Sequence, residues 1–108
     1  MATITRFEEI EAWKTAREST RLVYVMTKQG RSARDSGLRN QSQRAAVSVM
    51  SNIAAGFESR TQAQFIKYLG RAKASAGEVR SQLYVAVDTE SISQTQFGQA
   101  SDLADKSS

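Results

Sequence analysis

The sequence predicts an all-α protein, an up-and-down antiparallel four-helix bundle whose fourth helix is short. Three observations point there. Proline is absent and glycine occurs only six times in 108 residues, so few positions interrupt a helix. Apolar residues recur at steps of three and four through most of the chain, which is the period of one helix face. The stretches between these runs are short, and short connections favour antiparallel neighbours. The chain reads as one domain over 1–108, with no solenoid repeat and no long linker. At this length a core needs no metal or disulfide to hold it.

The first helix is expected over about 7–29. Thr5-Arg6-Phe7-Glu8 fits a capping box, a hydroxyl with a carboxylate three residues on. Ile10, Trp13, Ala16, Thr20, Val23, Tyr24 and Thr27 then mark one face, and Gly30 would end the helix. Leu22, Val25 and Met26 lie off that face and leave the C-terminal half apolar nearly all round. Such a pattern is expected where a second face is buried by another subunit, so these three are candidate oligomer-interface residues. Arg31 to Ser36, rich in Ser and Arg, reads as a loop.

A second helix is predicted over about 37–57, with Leu38, Ser42, Ala45, Val49, Ile53 and Gly56 as its stripe. Small residues dominate it, so a neighbour can pack close. Asn52 sits at the border of the stripe. A buried amide without partners costs about 1–3 kcal/mol, and the expected role of Asn52 is to fix helix register rather than to bind a ligand.

Thr61-Gln62-Ala63-Gln64 opens the longest and cleanest pattern, a third helix over about 61–89. Phe65, Leu69, Ala72, Ala76, Val79, Leu83 and Val87 follow a heptad-like period. Gly70 and Gly77 inside it cost roughly 1 kcal/mol each against alanine. They share a flank with Ala63, Ala74 and Ser81, which marks close contact with another helix, in the same subunit or a neighbouring one. Both glycines join the candidate oligomer interface. Ser93-Gln94-Thr95-Gln96 allows a fourth helix over about 93–104, with Phe97, Ala100, Leu103 and Ala104 as a weak stripe. Asp105 to Ser108 should fray.

Composition removes most chemistry. Cysteine and histidine are absent, and with them disulfides, thiol nucleophiles, the commonest metal ligand and the usual neutral-pH acid–base group. Glu8, Glu9 and Glu11 cluster at the start of the first helix, where the helix dipole favours negative charge and no catalytic role is needed. No phosphate-cradling glycine loop and no nucleophile with a base occurs. Neither an enzyme nor a cofactor nor a metal site is expected. No apolar run approaches the ~20 residues that cross a bilayer, and Met1 to Arg6 lacks the features of a secretory signal. A cytoplasmic protein is the expectation.

Charge is unevenly spread. The net charge is +4, yet residues 90–108 hold one base and three acids, a net of −2, and the rest holds fourteen bases and eight acids, a net of +6. At ~100° per residue, Lys14, Arg17, Arg21 and Lys28 fall on one strip of the first helix, with no acid in the strip. Four cations on one ridge suit phosphates. They also suit a plainer role, with stems over the core edge and heads in water, or ion pairs with a second subunit. Lys67 and Arg71 share a face of the third helix with Glu78, while Lys73 and Arg80 lie on another side. No aromatic residue is interleaved with these bases as a stacking platform would need. Trp13, Tyr24, Tyr68 and Tyr84 are read as core or interface packing.

One family matches these patterns. Trp13 with Ala16 and Tyr24, Gly37-Leu38-x-x-Gln41, Arg44-Ala45-Ala46-Val47-Ser48, Ser51-Asn52-Ile53-Ala54-x-Gly56 and Phe65-x-x-Tyr68-Leu69 resemble the bacterial four-helix-bundle proteins often encoded in large-subunit rRNA intervening sequences. The likeness covers roughly residues 7–87. A related member is the accessory protein of diversity-generating retroelements, which assists a reverse transcriptase. The resemblance implies a bundle that assembles into a ring, a homopentamer in known members. For the retroelement relatives it implies binding of nucleic acid and a partner enzyme through a basic surface. The chain departs from the family pattern at Ala55, where a glutamate is usual, and at Met50, where a proline is common. A proline is also missing from Gln29-Gly30-Arg31, and the fourth helix is poorer in large apolar residues.

Two functions follow as expectations. The first is a non-enzymatic oligomer that binds RNA or DNA backbone through its bases, Lys14, Arg17, Arg21, Lys28, Lys67 and Arg71, as accessory to a nucleic-acid enzyme such as a reverse transcriptase. The second is a protein-binding scaffold whose bases serve solubility and subunit pairing.

Overall fold

A computed structural model describes residues 3–29 and 34–107. They form a short 3-10 turn, Phe7–Glu9, and four α-helices: α1 (Glu11–Met26), α2 (Ser36–Glu58), α3 (Gln62–Asp88) and α4 (Gln94–Lys106). No strand occurs among the described residues. α1 packs against α2 and α4, and α3 packs against the same two. The helices therefore stand in chain order around a square, with α2 diagonal to α4. Side-chain bonds fix the antiparallel sense: Thr20 Oγ1 donates to Ala46 O at 3.1 Å, and Gln43 Nε2 to Thr27 Oγ1 at 3.0 Å. Ser48 lies 2.8 Å from Ser75, and Arg80 lies 3.0 Å from Asp105.

The helix ends show which local signals hold. The Ser93–Gln96 capping box forms in full, and Thr61 accepts from Gln64 N–H at 3.1 Å. The Thr5 box does not form. The Thr5 hydroxyl donates instead to Glu9 at 3.1 Å, and the chain turns extended at Ile10 before α1 begins at Glu11. That bend sets the Phe7 ring edge-on against Trp13, 5.2 Å between centroids. α2 starts one residue earlier than its pattern, because Asp35 caps it through Leu38 N–H at 3.0 Å. α1 stops at Met26, with Thr27 as its C-cap. Gly30, expected to end it, and residues 31–33 of the expected loop lie outside the described residues. α3 ends through Glu90, held at φ 59, so that Ser91 N–H reaches Ala86 O at 2.8 Å. The tail expected to fray is helical to Lys106. Asp105 is tied to Arg80, and the buried Ser107 donates to Leu103 O at 2.7 Å. Ser108 is outside the described residues.

The core has two unequal parts. One cluster draws on all four helices, with Val23 and Met26 from α1, Leu38 and Ala45 from α2, Val79 and Leu83 from α3, and Ala100 and Ala104 from α4. The other, Ala16, Val49, Ile53, Ala72 and Ala76, has no α4 residue. Helix length explains the difference. At 1.5 Å per residue α3 spans roughly 40 Å and α4 roughly 20 Å, so half of α3 runs on past the end of α4. Phe65 and Leu69, expected in the stripe, are accordingly 42% and 39% exposed. Beneath them lies an apolar groove of about 180 Å³, lined by Ile10, Ile53, Phe57, Phe65 and Leu69, with Ser107 at its edge.

Met26 corrects the interface expectation. It is 2% exposed and packs in the four-helix core, because α1 meets α2 on one side and α4 on the other. Leu22 is half-buried against the same cluster, and Val25 points outward at 41% exposure. The apolar girdle of α1 is thus filled mainly within one subunit.

Candidate nucleic-acid interface

The cations of α1 divide into paired and unpaired. Lys14 Nζ lies 3.2 Å from Glu11, one turn before it. Arg21 forks onto Glu18 in the same way. That hydrogen bond holds the Glu18 carboxyl below its ordinary pKa and raises the Arg21 guanidinium, although both are open to water. The strip is therefore not free of acids: two of its four cations are neutralised by carboxylates three residues upstream. Arg17 and Lys28 make no ion pair among the described residues.

Arg17 has a different partner. Its guanidinium sits 5.9 Å from the centroid of the Trp13 ring, and Trp13 is itself half-buried against the three-helix part of the core. On α3 the arrangement repeats, with Arg71 lying 5.7 Å from the centroid of the Tyr68 ring. Tyr68 packs closely on α2 at Gly56, where an added Cβ would come within 3.3 Å of Tyr68 Cβ. An arginine on an aromatic face has its plane set in advance and keeps its N–H groups for an anion. The expectation that no aromatic accompanies the bases fails at these two positions. The signal was present as spacing, Trp13 to Arg17 four apart and Tyr68 to Arg71 three apart.

Between α2 and α3 runs a polar groove lined by Gln41, Arg44, Ser48, Ser75, Glu78 and Gln82. The Ser48–Ser75 bond closes its floor, and Asn52 donates to both Ser48 O at 2.8 Å and Ser48 Oγ at 3.0 Å. Asn52 acts through its own helix: it fixes the serine that crosses to α3 rather than crossing itself. Arg44 is exposed on the groove wall.

Arg17, Lys28, Arg44, Lys67, Arg71 and Lys73 make no ion pair among the described residues. All six lie on α1, α2, α3 or the turn after α1. The α4 corner differs, since Asp102 holds Lys106 at 3.0 Å and Asp105 holds Arg80 at 3.0 Å. The cations that α4 touches or carries there, Arg80 and Lys106, are thus both paired. Tyr84, read as core or interface packing, is 58% exposed and rests on Phe97 with centroids 4.8 Å apart. At Gly70 and Gly77 an added Cβ would meet nothing within 4 Å, so neither admits a close neighbour within the subunit. Among the described residues there is no group of His, Cys, Asp or Glu side chains able to hold a metal ion. No described helix is long and apolar enough to cross a membrane.

The chain belongs to the 23S rRNA-intervening sequence protein family, whose sequence profile matches residues 8–108. A comparison with curated proteins finds no match.

Proposed function

We propose that this protein is a non-enzymatic bundle that self-associates and binds the backbone of RNA or DNA, in support of a nucleic-acid enzyme. The observation that carries the reading is the set of unpaired cations on α1, α2 and α3, with Arg17 and Arg71 laid on aromatic rings. Such cations release counterions when they meet phosphates. Their scatter over three helices suits recognition of shape and backbone rather than of base sequence. Lys14 and Arg21 contribute less than their positions in the ridge imply, because a phosphate must first displace a carboxylate from each.

The test is fluorescence anisotropy of labelled structured RNA and duplex DNA across a salt series. Each phosphate neutralised adds roughly 0.9 to the slope of log K against log salt for duplex DNA. Replacing Arg17 and Arg71 by glutamine together should lower that slope by about 1.8, while Arg21→Gln lowers it by less than Arg17→Gln. Absence of binding at low salt would refute the nucleic-acid role. The scaffold reading would then stand, favoured by the large apolar side chains that α3 exposes.

A further inference from the structure

Helices α2 and α3 meet along a polar seam, and two contacts fix its register. An added Cβ at Gly56 would stand 3.3 Å from Tyr68 Cβ, and Ser48 lies 2.8 Å from Ser75. Because the helices are antiparallel, Asn52 is then level with Arg71, Ala45 with Glu78 and Gln41 with Gln82. Tyr68, Arg71, Ser75, Glu78 and Gln82 recur at steps of three and four, so they share the face of α3 that lines this seam. Arg44 and Glu78 stand on opposite walls of a groove of about 450 Å³. Opposite charges at one level ordinarily close on each other, yet these two make no ion pair. Gln82, on the same wall as Glu78, has a buried Oε1 with no hydrogen-bond partner. The α3 wall thus offers acceptors, a carboxylate and an unsatisfied amide oxygen, while the α2 wall offers the donor fork of Arg44.

We propose that this groove takes one guanine base from an unpaired stretch of nucleic acid. The proposal rests on the nucleic-acid reading above and adds a base contact to its backbone contacts. Guanine carries its N1–H and N2–H donors side by side, which matches the two oxygens of one carboxylate. Its O6 and N7 acceptors match the fork of an arginine. Glu78 then receives the two donors and Arg44 gives to the acceptors, each from its own wall. The second N2 hydrogen is left for Gln82 Oε1 once that amide turns into the groove. Adenine, cytosine, uracil and thymine all lack adjacent ring and amino donors. In a duplex the N1 and N2 donors of guanine are taken by cytosine, so the groove selects unpaired strands. Phosphates follow the seam. Arg44 and Arg71 lie on opposite sides of the Ser48–Ser75 bond, each four residues and so about 6 Å from it. A strand running on from the base therefore meets a guanidinium already laid on the Tyr68 ring. Glu78 repels phosphate, which suits a groove that holds a base and excludes the backbone.

The test is fluorescence anisotropy of the full chain with labelled RNA octamers at low salt: all-uridine, the same with one central guanosine, and the same with inosine there, which lacks the N2 amino group. The guanosine octamer should bind at least about tenfold tighter than all-uridine, with inosine between them. Glu78→Gln should erase that preference while tightening the all-uridine octamer, since an acid beside the phosphates is gone. Arg44→Gln should erase the preference and weaken every octamer. Both positions are exposed, so the helical circular dichroism should not change. Charges that serve solubility alone would shift the octamers alike. Equal binding of the octamers, or a guanosine preference that survives either variant, would overturn the base site and leave backbone binding standing. Failure of every octamer while structured RNA or duplex DNA binds would do the same. No binding of any of these would overturn both.

Discussion

Alanine at positions 70 and 77 should stabilise the isolated subunit. Glycine inside a helix costs about 1 kcal/mol against alanine, because the unfolded chain has more freedom to lose. That gain is ordinarily offset where the new methyl strikes a neighbour. At both positions the Cβ meets nothing within 4 Å, so no offset arises, and the two changes together are worth about 2 kcal/mol. For a chain of this size that corresponds to a rise of about 8 °C in the melting temperature. Urea denaturation followed by circular dichroism at sub-micromolar protein gives the value directly. Gly56 is the internal control. Its Cβ would stand 3.3 Å from Tyr68 Cβ, tight enough that the same substitution should gain little or lose stability. If Gly70→Ala or Gly77→Ala destabilises the dilute protein, some part of the same subunit covers this face and the reasoning fails.

Three further outcomes follow from the geometry. Asp35→Ala removes the side chain that caps α2 through Leu38 N–H and should cost about 1 kcal/mol in urea titrations; an unchanged midpoint would mean that the cap does not form. Leu83→Ala, in the four-helix part of the core at 5% exposure, should cost 2–5 kcal/mol, and Leu69→Ala, 39% exposed over the groove, much less; equal losses would show that another body fills the three-helix end. The Glu18 carboxyl is held below its ordinary pKa by the Arg21 hydrogen bond. Its stabilising contribution is therefore complete above the ordinary carboxylate pKa and is lost as pH falls through the lowered one. An NMR titration should find Glu18 titrating below the ordinary glutamate value and returning toward it in Arg21→Gln, and a normal midpoint in the unaltered protein would refute the pair.

The bundle was legible because periodicity reports which face of a helix is apolar. Ala16, Val23, Val49, Ile53, Ala76 and Val79 all read correctly as core. Periodicity does not report whether a neighbour reaches that face. Phe65 and Leu69 keep the period of α3 yet stand half in water, since the described part of α4 reaches only the Ser107 edge of their groove. Met26 breaks the period of α1 yet is buried, because a helix at the corner of a square has two neighbours and needs a stripe wider than one. Thr5 and Ser93 carry similar capping signatures, and only Ser93 completes its box. At the N-terminus the helix proper begins only at Glu11, past an extended Ile10, so Thr5 is not at its N-cap and its hydroxyl donates to Glu9. For the cations the missed signal was local. Glu11 with Lys14 and Glu18 with Arg21 have the three-residue spacing of helical ion pairs, and reading the bases as a strip on their own hid them.

The short fourth helix governs charge as well as burial. Arg80 and Lys73 lie one heptad apart on the face of α3 that turns toward the α4 corner. α4 reaches Arg80 and neutralises it with Asp105 at 3.0 Å, but it stops before Lys73, which makes no ion pair among the described residues. The three-helix end of the bundle, where Phe65 and Leu69 are 42% and 39% exposed, is the less buried. Trp13 with Arg17 and Tyr68 with Arg71 both stand at that end, so a polyanion bound there meets unpaired guanidinium groups set on rings that the core itself holds in place.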